Sequence, residues 1–120
     1  MPDRIAIIVG TRPEAIKLVP VYLELNKRTL HVDLISTGQH EQMLQQIFDF
    51  FSLSPDIHLK VMQPNQTLSG LTALLIDKLQ QCIDVGKYDM LIVQGDTTTA
   101  FVGALVGFYN KIPVYHIEAG

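Results

Sequence analysis

The sequence predicts an α/β fold in which a parallel sheet forms the middle of three layers. Three observations carry that expectation. Short apolar runs of strand length alternate with amphipathic segments of helix length along the whole chain. The runs at 4–9 and 88–93 are apolar with little alternation, as strands covered on both faces are. Polar clusters follow four of the runs: Gly10-Thr11-Arg12-Pro13-Glu14, Ser36-Thr37-Gly38-Gln39-His40, Gln94-Gly95-Asp96-Thr97 and His116-Ile117-Glu118-Ala119-Gly120. In an open parallel α/β sheet, ligands bind beyond the carboxyl ends of the strands.

Each element has its own local reason. Residues 4–9 read as a buried strand. Thr11 and Glu14 then stand at capping-box spacing, with Pro13 in the first turn of a helix. That helix places Ala15, Leu18, Val19, Tyr22 and Leu25 on one face, and Pro20 inside it predicts a kink. Residues 31–36 form the second strand. Residues 41–51 form a helix with Met43, Leu44, Ile47, Phe48 and Phe51 toward the core. Residues 56–61 make a short edge strand. Thr67 caps a long helix whose buried stripe is Leu68, Leu71, Leu75, Leu79, Cys82 and Ile83, and Gly86 ends it. Residues 88–93, 97–110 and 113–117 complete a strand, a helix and a strand. The helix at 97–110 is apolar nearly all round, which calls for cover on more than one side.

Composition bounds the function. The 120 residues suit one domain; 48% are hydrophobic and 18% charged, which is globular. A formal net charge of −3 gives no electrostatic reason to expect nucleic acid or a membrane surface. Cys82 is the one cysteine and reads as a buried, inert thiol. The apolar run at 5–9 is too short for a signal-peptide core, and the stretch at 100–109 is too short to span a bilayer. A cytoplasmic protein is expected.

Arg12 and Lys17 flank the start of the first helix, where unpaired N–H groups favour anions. They read either as a phosphate site or as solvated surface residues. No GxGxxG fingerprint is present, which argues against a dinucleotide held in the usual way. Asp96 is either a helix cap or an acid–base group. Glu118, with His116 two residues earlier on the same side of its strand, suits proton abstraction and return. His40 either binds substrate or caps the next helix. His31 and His58 read as surface residues. No cluster has metal-ligand spacing.

The segments GTRPEAIKLVPV at 10–21, TGQH at 37–40, QTL at 66–68, QGDTTT at 94–99 and the terminal HIEAG together resemble the bacterial non-hydrolysing UDP-N-acetylglucosamine 2-epimerases. The resemblance covers the whole chain in order. It implies that residues 1–120 are an incomplete N-terminal Rossmann-like domain of a two-domain B-type glycosyltransferase fold, the C-terminal domain lying outside this chain. It implies interconversion of UDP-GlcNAc and UDP-ManNAc by elimination and re-addition of UDP, without cofactor or metal, in a homodimer. Asp96 and Glu118 match catalytic acids of that family. Arg12 and Lys17 match ligand-contacting positions near the UDP, His40 stands as a further substrate-binding candidate, and Gln39 and Gln42 fall where many members have an allosteric site. Asn65 departs from the arginine of some relatives at that site.

Overall fold

The computed structural model describes residues 3–28 and 31–118. Strand β1 (Arg4–Val9) leads into α1 (Arg12–Asn26), β2 (His31–Ser36), α2 (Glu41–Phe50) and β3 (Ile57–His58). Helix α3 (Leu68–Gly86), β4 (Met90–Gln94), α4 (Thr98–Tyr109) and β5 (Val114–Ile117) follow. The strands form one sheet in the order β3-β2-β1-β4-β5, with every neighbouring pair parallel. The chain therefore winds outward from β1 to β3, and α3 carries it back to the other side of β1. The strand order reverses beside β1, which opens a crevice at the carboxyl ends. The register aligns Val9 with Ser36 and Gln94 with Ile117. It thereby gathers all four polar clusters on one edge.

Side-chain alternation in β1 divides the core. Ile5, Ile7 and Val9 face a layer formed by Ala15, Leu18, Val19 and Tyr22 of α1 with Leu44, Ile47 and Phe48 of α2. Ala6 and Ile8 face Leu71, Leu75, Leu79 and Ile83 of α3 with Ala100, Val102 and Val106 of α4. The three layers expected from the sequence are present. Helix α4 rests closely on the sheet through two glycines. A Cβ on Gly103 would lie 2.7 Å from Val93 Cγ1, and one on Gly107 would overlap Val114. Its other side leaves Phe101, Phe108 and Tyr109 exposed.

Several local expectations shift. Met43 is exposed, because the buried stripe of α2 is Leu44, Ile47 and Phe48 and Met43 lies at its margin. Phe51 is the C-cap of α2 and is half-buried against the core. Leu68 is exposed in the first turn of α3, before that helix meets the sheet. Cys82 is half-buried rather than enclosed, and desolvation pushes its thiol pKa up. The edge strand shortens to Ile57–His58. Helix α1 runs on through Pro20, which is exposed. Thr67 caps α3 as expected, accepting a hydrogen bond from Gly70 N at 2.9 Å. Beyond Gly86, Lys87 turns the chain with a left-handed φ of 53°.

Tyr22 ties α1 to the sheet edge. Its hydroxyl donates to Asp56 Oδ2 at 2.9 Å, and the Leu34 amide donates to the same oxygen at 2.7 Å. Burial, and then the adjacent Asp56 carboxylate, push the phenol pKa up to about 12.

Two outcomes check this packing. Gly107→Ala is expected to destabilise the fold by about 1–3 kcal/mol, the usual cost of overpacking, as read by urea unfolding. Tyr22 gives a pH dependence at the alkaline end. Between its ordinary pKa of 10.0 and about 12, the folded phenol keeps a proton that the unfolded chain has lost. Stability should therefore fall as pH rises through that window. Urea midpoints of wild type and Tyr22→Phe measured across it should converge; parallel curves would refute the assignment.

Candidate functional site

The buried polar residues among those described are Thr11, Glu14, Ser36, Thr37, Gln94 and Thr99. All six lie at the carboxyl end of the sheet: Ser36 and Gln94 end β2 and β4, Thr11 and Thr37 stand in the turns after β1 and β2, and Glu14 and Thr99 lie in the first turns of α1 and α4. Their centre is Gly10. A Cβ there would overlap the Thr99 hydroxyl and lie 2.7 Å from Thr37 Oγ1. The bare glycine lets the turns after β1 and β2 and the start of α4 meet. Thr37 N donates to Val9 O at 2.9 Å, and His40 N donates to Gly10 O at 3.0 Å. The Thr99 hydroxyl donates to Gln39 Oε1 at 2.7 Å and lies 3.3 Å from Thr37 Oγ1, from which it can accept. This connected chain pairs the Thr37 and Thr99 hydroxyls, whereas the buried Ser36 hydroxyl has no partner among the described residues.

The turn after β1 differs from a capping box. Thr11 is the N-cap of α1, but its side chain makes no cap bond to the helix. Instead its hydroxyl donates to Glu14 Oε2, and Gly10 N donates to Glu14 Oε1 at 3.2 Å. Glu14 is 1% exposed. Desolvation raises its pKa, against the lowering effect of hydrogen bonds from Thr11, Thr97 and Gly10 and of the His40 charge.

The groups with free chemistry surround this layer. Arg12 and Lys17 are exposed in the first turns of α1 and make no ion pair among the described residues. Asp96 is exposed after Gly95, whose φ of 81° turns the chain. Asp96 is not the cap of α4. That role belongs to Thr97, whose hydroxyl accepts from Ala100 N at 3.2 Å. Glu118 is exposed, with Glu118 Oε1 3.6 Å from His116 Nε2. His116 Nε2 also lies 2.5 Å from Gly95 O. The Gly95 amide donates to Ile117 O at 3.3 Å, so the turns bearing Asp96 and Glu118 are joined by backbone. Gly95, Asp96, Thr97, Phe101 and His116 help line a groove of about 360 Å³.

His40 is the N-cap residue of α2, with no side-chain cap bond, so the capping reading has no support. With Gln42, Met43 and Met62 it lines a second groove of about 410 Å³ on the same edge. Gln39 is half-buried and held by Thr99; Gln42 is exposed. Ala119 and Gly120 of the terminal motif lie outside the described residues. Among the described residues no group of three or more His, Cys, Asp or Glu is placed to hold a metal. Likewise, no helix among them is long and apolar enough to cross a membrane.

Known proteins resemble this chain in sequence and fold. The family described as UDP-N-acetylglucosamine 2-epimerase matches residues 23–120. The chain belongs to the UDP-N-acetylglucosamine 2-epimerase family. The enzyme of that name from Neisseria meningitidis is 45% identical over 118 residues, covering 98% of this chain and 32% of the relative. The crystal structure of a Neisseria meningitidis UDP-GlcNAc 2-epimerase bound to UDP-GlcNAc superposes with a TM-score of 0.91 over 98% of this chain and 32% of that one. The Methanocaldococcus jannaschii UDP-GlcNAc 2-epimerase in complex with UDP-GlcNAc and UDP gives 0.89 at 35% identity, over 98% of this chain and 33% of that one. The chain thus spans about a third of the length of the curated relatives it matches.

Sequence reasoning missed Thr37 and Thr99 as the structural centre and assigned Glu14 only a capping role. The run Thr97-Thr98-Thr99 held the signal. Only the third threonine is buried, because it is the one whose helical phase turns toward Gly10. Gly10→Ala should force Thr99 and the start of α4 away, at a cost of about 1–3 kcal/mol in urea unfolding. An unchanged midpoint would show that the contact gives way freely.

Proposed function

We propose that this chain forms part of the N-terminal Rossmann-like domain of a non-hydrolysing UDP-N-acetylglucosamine 2-epimerase, the remainder of the two-domain fold being supplied by sequence beyond it. The whole protein interconverts UDP-GlcNAc and UDP-ManNAc. The observation that carries the reading is the order of side chains along the sheet edge: Arg12 after β1, Asp96 after β4 and Glu118 after β5, on adjacent strands beside the switch point. The names of the relatives and the ligands in the titles of two solved relatives point the same way.

The chemistry fits those groups. The C2–H of the sugar is a weak acid, so a positioned base and a stabilised leaving group must act together. One carboxylate takes the C2 proton as the C1–O bond breaks. The electron pair of that bond leaves with the UDP diphosphate, and a C1–C2 double bond forms in a 2-acetamidoglucal. Re-addition of UDP with a proton delivered to the opposite face of C2 gives the epimer. Asp96 and Glu118 are assigned as the acids, with His116 beside Glu118. Arg12 and Lys17, at the start of α1, hold diphosphate charge together with the helix N-terminus. His40 contacts substrate, and Gln39 and Gln42 serve an allosteric ligand. The reaction is redox-neutral overall and calls on no cofactor. A cytoplasmic homodimer feeding cell-envelope polysaccharide synthesis completes the reading.

The test uses the whole protein with UDP-GlcNAc in deuterated water, following epimer formation and deuterium at C2. Asp96→Asn and Glu118→Gln should each lower kcat by roughly two decades or more. Arg12→Lys keeps the charge but loses the bidentate fork, and should stay impaired. A wild-type protein that binds UDP-GlcNAc calorimetrically yet never exchanges C2–H would instead be a non-catalytic nucleotide-sugar module.

A further inference from the structure

Gln39 is the half-buried member of a ring of hydrogen bonds whose other members are enclosed. Its backbone N–H donates to Thr37 Oγ1 at 3.4 Å. Thr37 Oγ1 lies 3.3 Å from Thr99 Oγ1, and Thr99 Oγ1 lies 2.7 Å from Gln39 Oε1. Thr37 and Thr99 are both 0% exposed. Gly10 closes the ring on the β1 side, since a Cβ there would meet both hydroxyls. Neither hydroxyl has a further hydrogen-bond partner among the described residues.

The proton positions follow from that closure. The Gln39 N–H can only donate, so Thr37 accepts it. The Thr37 proton then has one acceptor, Thr99, and the Thr99 proton goes to Gln39 Oε1. With the amide turned the other way, Nε2 would donate to Thr99 and Thr99 to Thr37. The Thr37 proton would then be enclosed without an acceptor, a costly arrangement. The ring therefore holds the amide oxygen inward and leaves the nitrogen outward. Nε2 bonds nothing among the described residues. The side-chain atoms enclosed there without a partner are Ser36 Oγ and Gln66 Oε1, so Nε2 is open to solvent. The backbone beyond Gln39 is also pinned, by the bond from His40 N to Gly10 O at 3.0 Å.

We infer that Thr99 is a positioning residue: its hydroxyl fixes the Gln39 amide with the NH₂ turned outward, as a donor to an oxygen of a nucleotide sugar bound on this edge. The inference rests on the epimerase reading, which supplies that ligand, and adds the group that orients Gln39 toward it. Phosphate oxygens only accept. An amide free to turn would also present its own oxygen, which repels such acceptors.

Full-length wild type, Thr99→Val, Thr99→Ser, Gln39→Ala and the Thr99→Val/Gln39→Ala double variant would be titrated with UDP-GlcNAc by calorimetry, counted per folded molecule. Thr99→Val keeps the shape and removes the hydroxyl. It should weaken binding about three- to tenfold, the size of one neutral hydrogen bond. Serine keeps the hydroxyl and should recover most of that loss. In the Gln39→Ala background, Thr99→Val should cost less than about twofold, because the hydroxyl acts through the amide. Wild-type affinity in Thr99→Val overturns the inference, as does a serine variant as weak as valine. An equal loss in both backgrounds also overturns it, since a merely structural threonine would give that result. Should Thr99→Val fail to fold, Gln39→Glu decides. Its carboxylate still accepts from Thr99 but has no proton to offer outward, so binding should fall at least about tenfold; wild-type affinity there overturns the inference. A wild type that binds UDP-GlcNAc without epimerising it overturns the proposed reaction, while the binding comparison still decides the role of Thr99. A wild type that does not bind UDP-GlcNAc overturns both.

Discussion

The fold depends on a close approach at Gly10. The end of β1 has neighbours on both sides, β2 and β4, and α4 begins directly over it. Three chain segments can share that point only if one of them has no side chain. Glycine supplies the space, and the hydroxyls of Thr37 and Thr99 fill it. Everything the edge carries is placed relative to this junction.

The junction also explains where polarity is buried. Strand interiors here are apolar on both faces, because helices cover both sides of a parallel sheet. Beyond the last strand residues, ladder bonds end and backbone groups need other partners. Glu14 accepts from the Gly10 amide and Thr37 lies 3.4 Å from the Gln39 amide, which donates to it, while Thr99 bonds the Gln39 side chain. An unpaired hydroxyl or carboxylate enclosed at this depth would cost several times the net worth of a hydrogen bond. The network therefore admits few arrangements, which fixes the turns that leave it.

The layers were legible in the sequence because periodicity reports burial. The apolar runs of β1 and β4, the stripe of α3 and the Thr67 cap all follow from local residue order. Where one helix meets two environments, the pattern misled. Met43 and Leu68 are apolar but stand at the margin or the first turn of their helices, outside the sheet's shadow. The gathering of the strand-end clusters on one edge was legible, since a parallel sheet brings its carboxyl ends together. Their internal wiring was not. Glu14 at capping-box spacing predicts a bond to the cap residue's own amide, whereas its carboxylate accepts from the Gly10 amide and the Thr11 hydroxyl. Asp96 was ambiguous for the same reason: cap and acid look alike until Thr97 is seen to take the cap.

That choice of cap has a chemical consequence. A carboxylate that caps a helix accepts backbone N–H bonds, which stabilise its charged form and weaken it as a base. With Thr97 capping α4, Asp96 is left in solvent one residue outside the helix, still near its positive end. Arg12, Lys17 and Glu118 are likewise exposed around the buried polar layer. The division is physically economical. Groups that must stay fixed are enclosed and bonded, where displacement is costly. On the proposed reading, groups that exchange partners with a ligand remain in water, where an unpaired charge carries little penalty. A single carboxylate, Glu14, sits on the enclosed side of that division, held by the Gly10 amide and the Thr11 hydroxyl of the turn that carries Arg12.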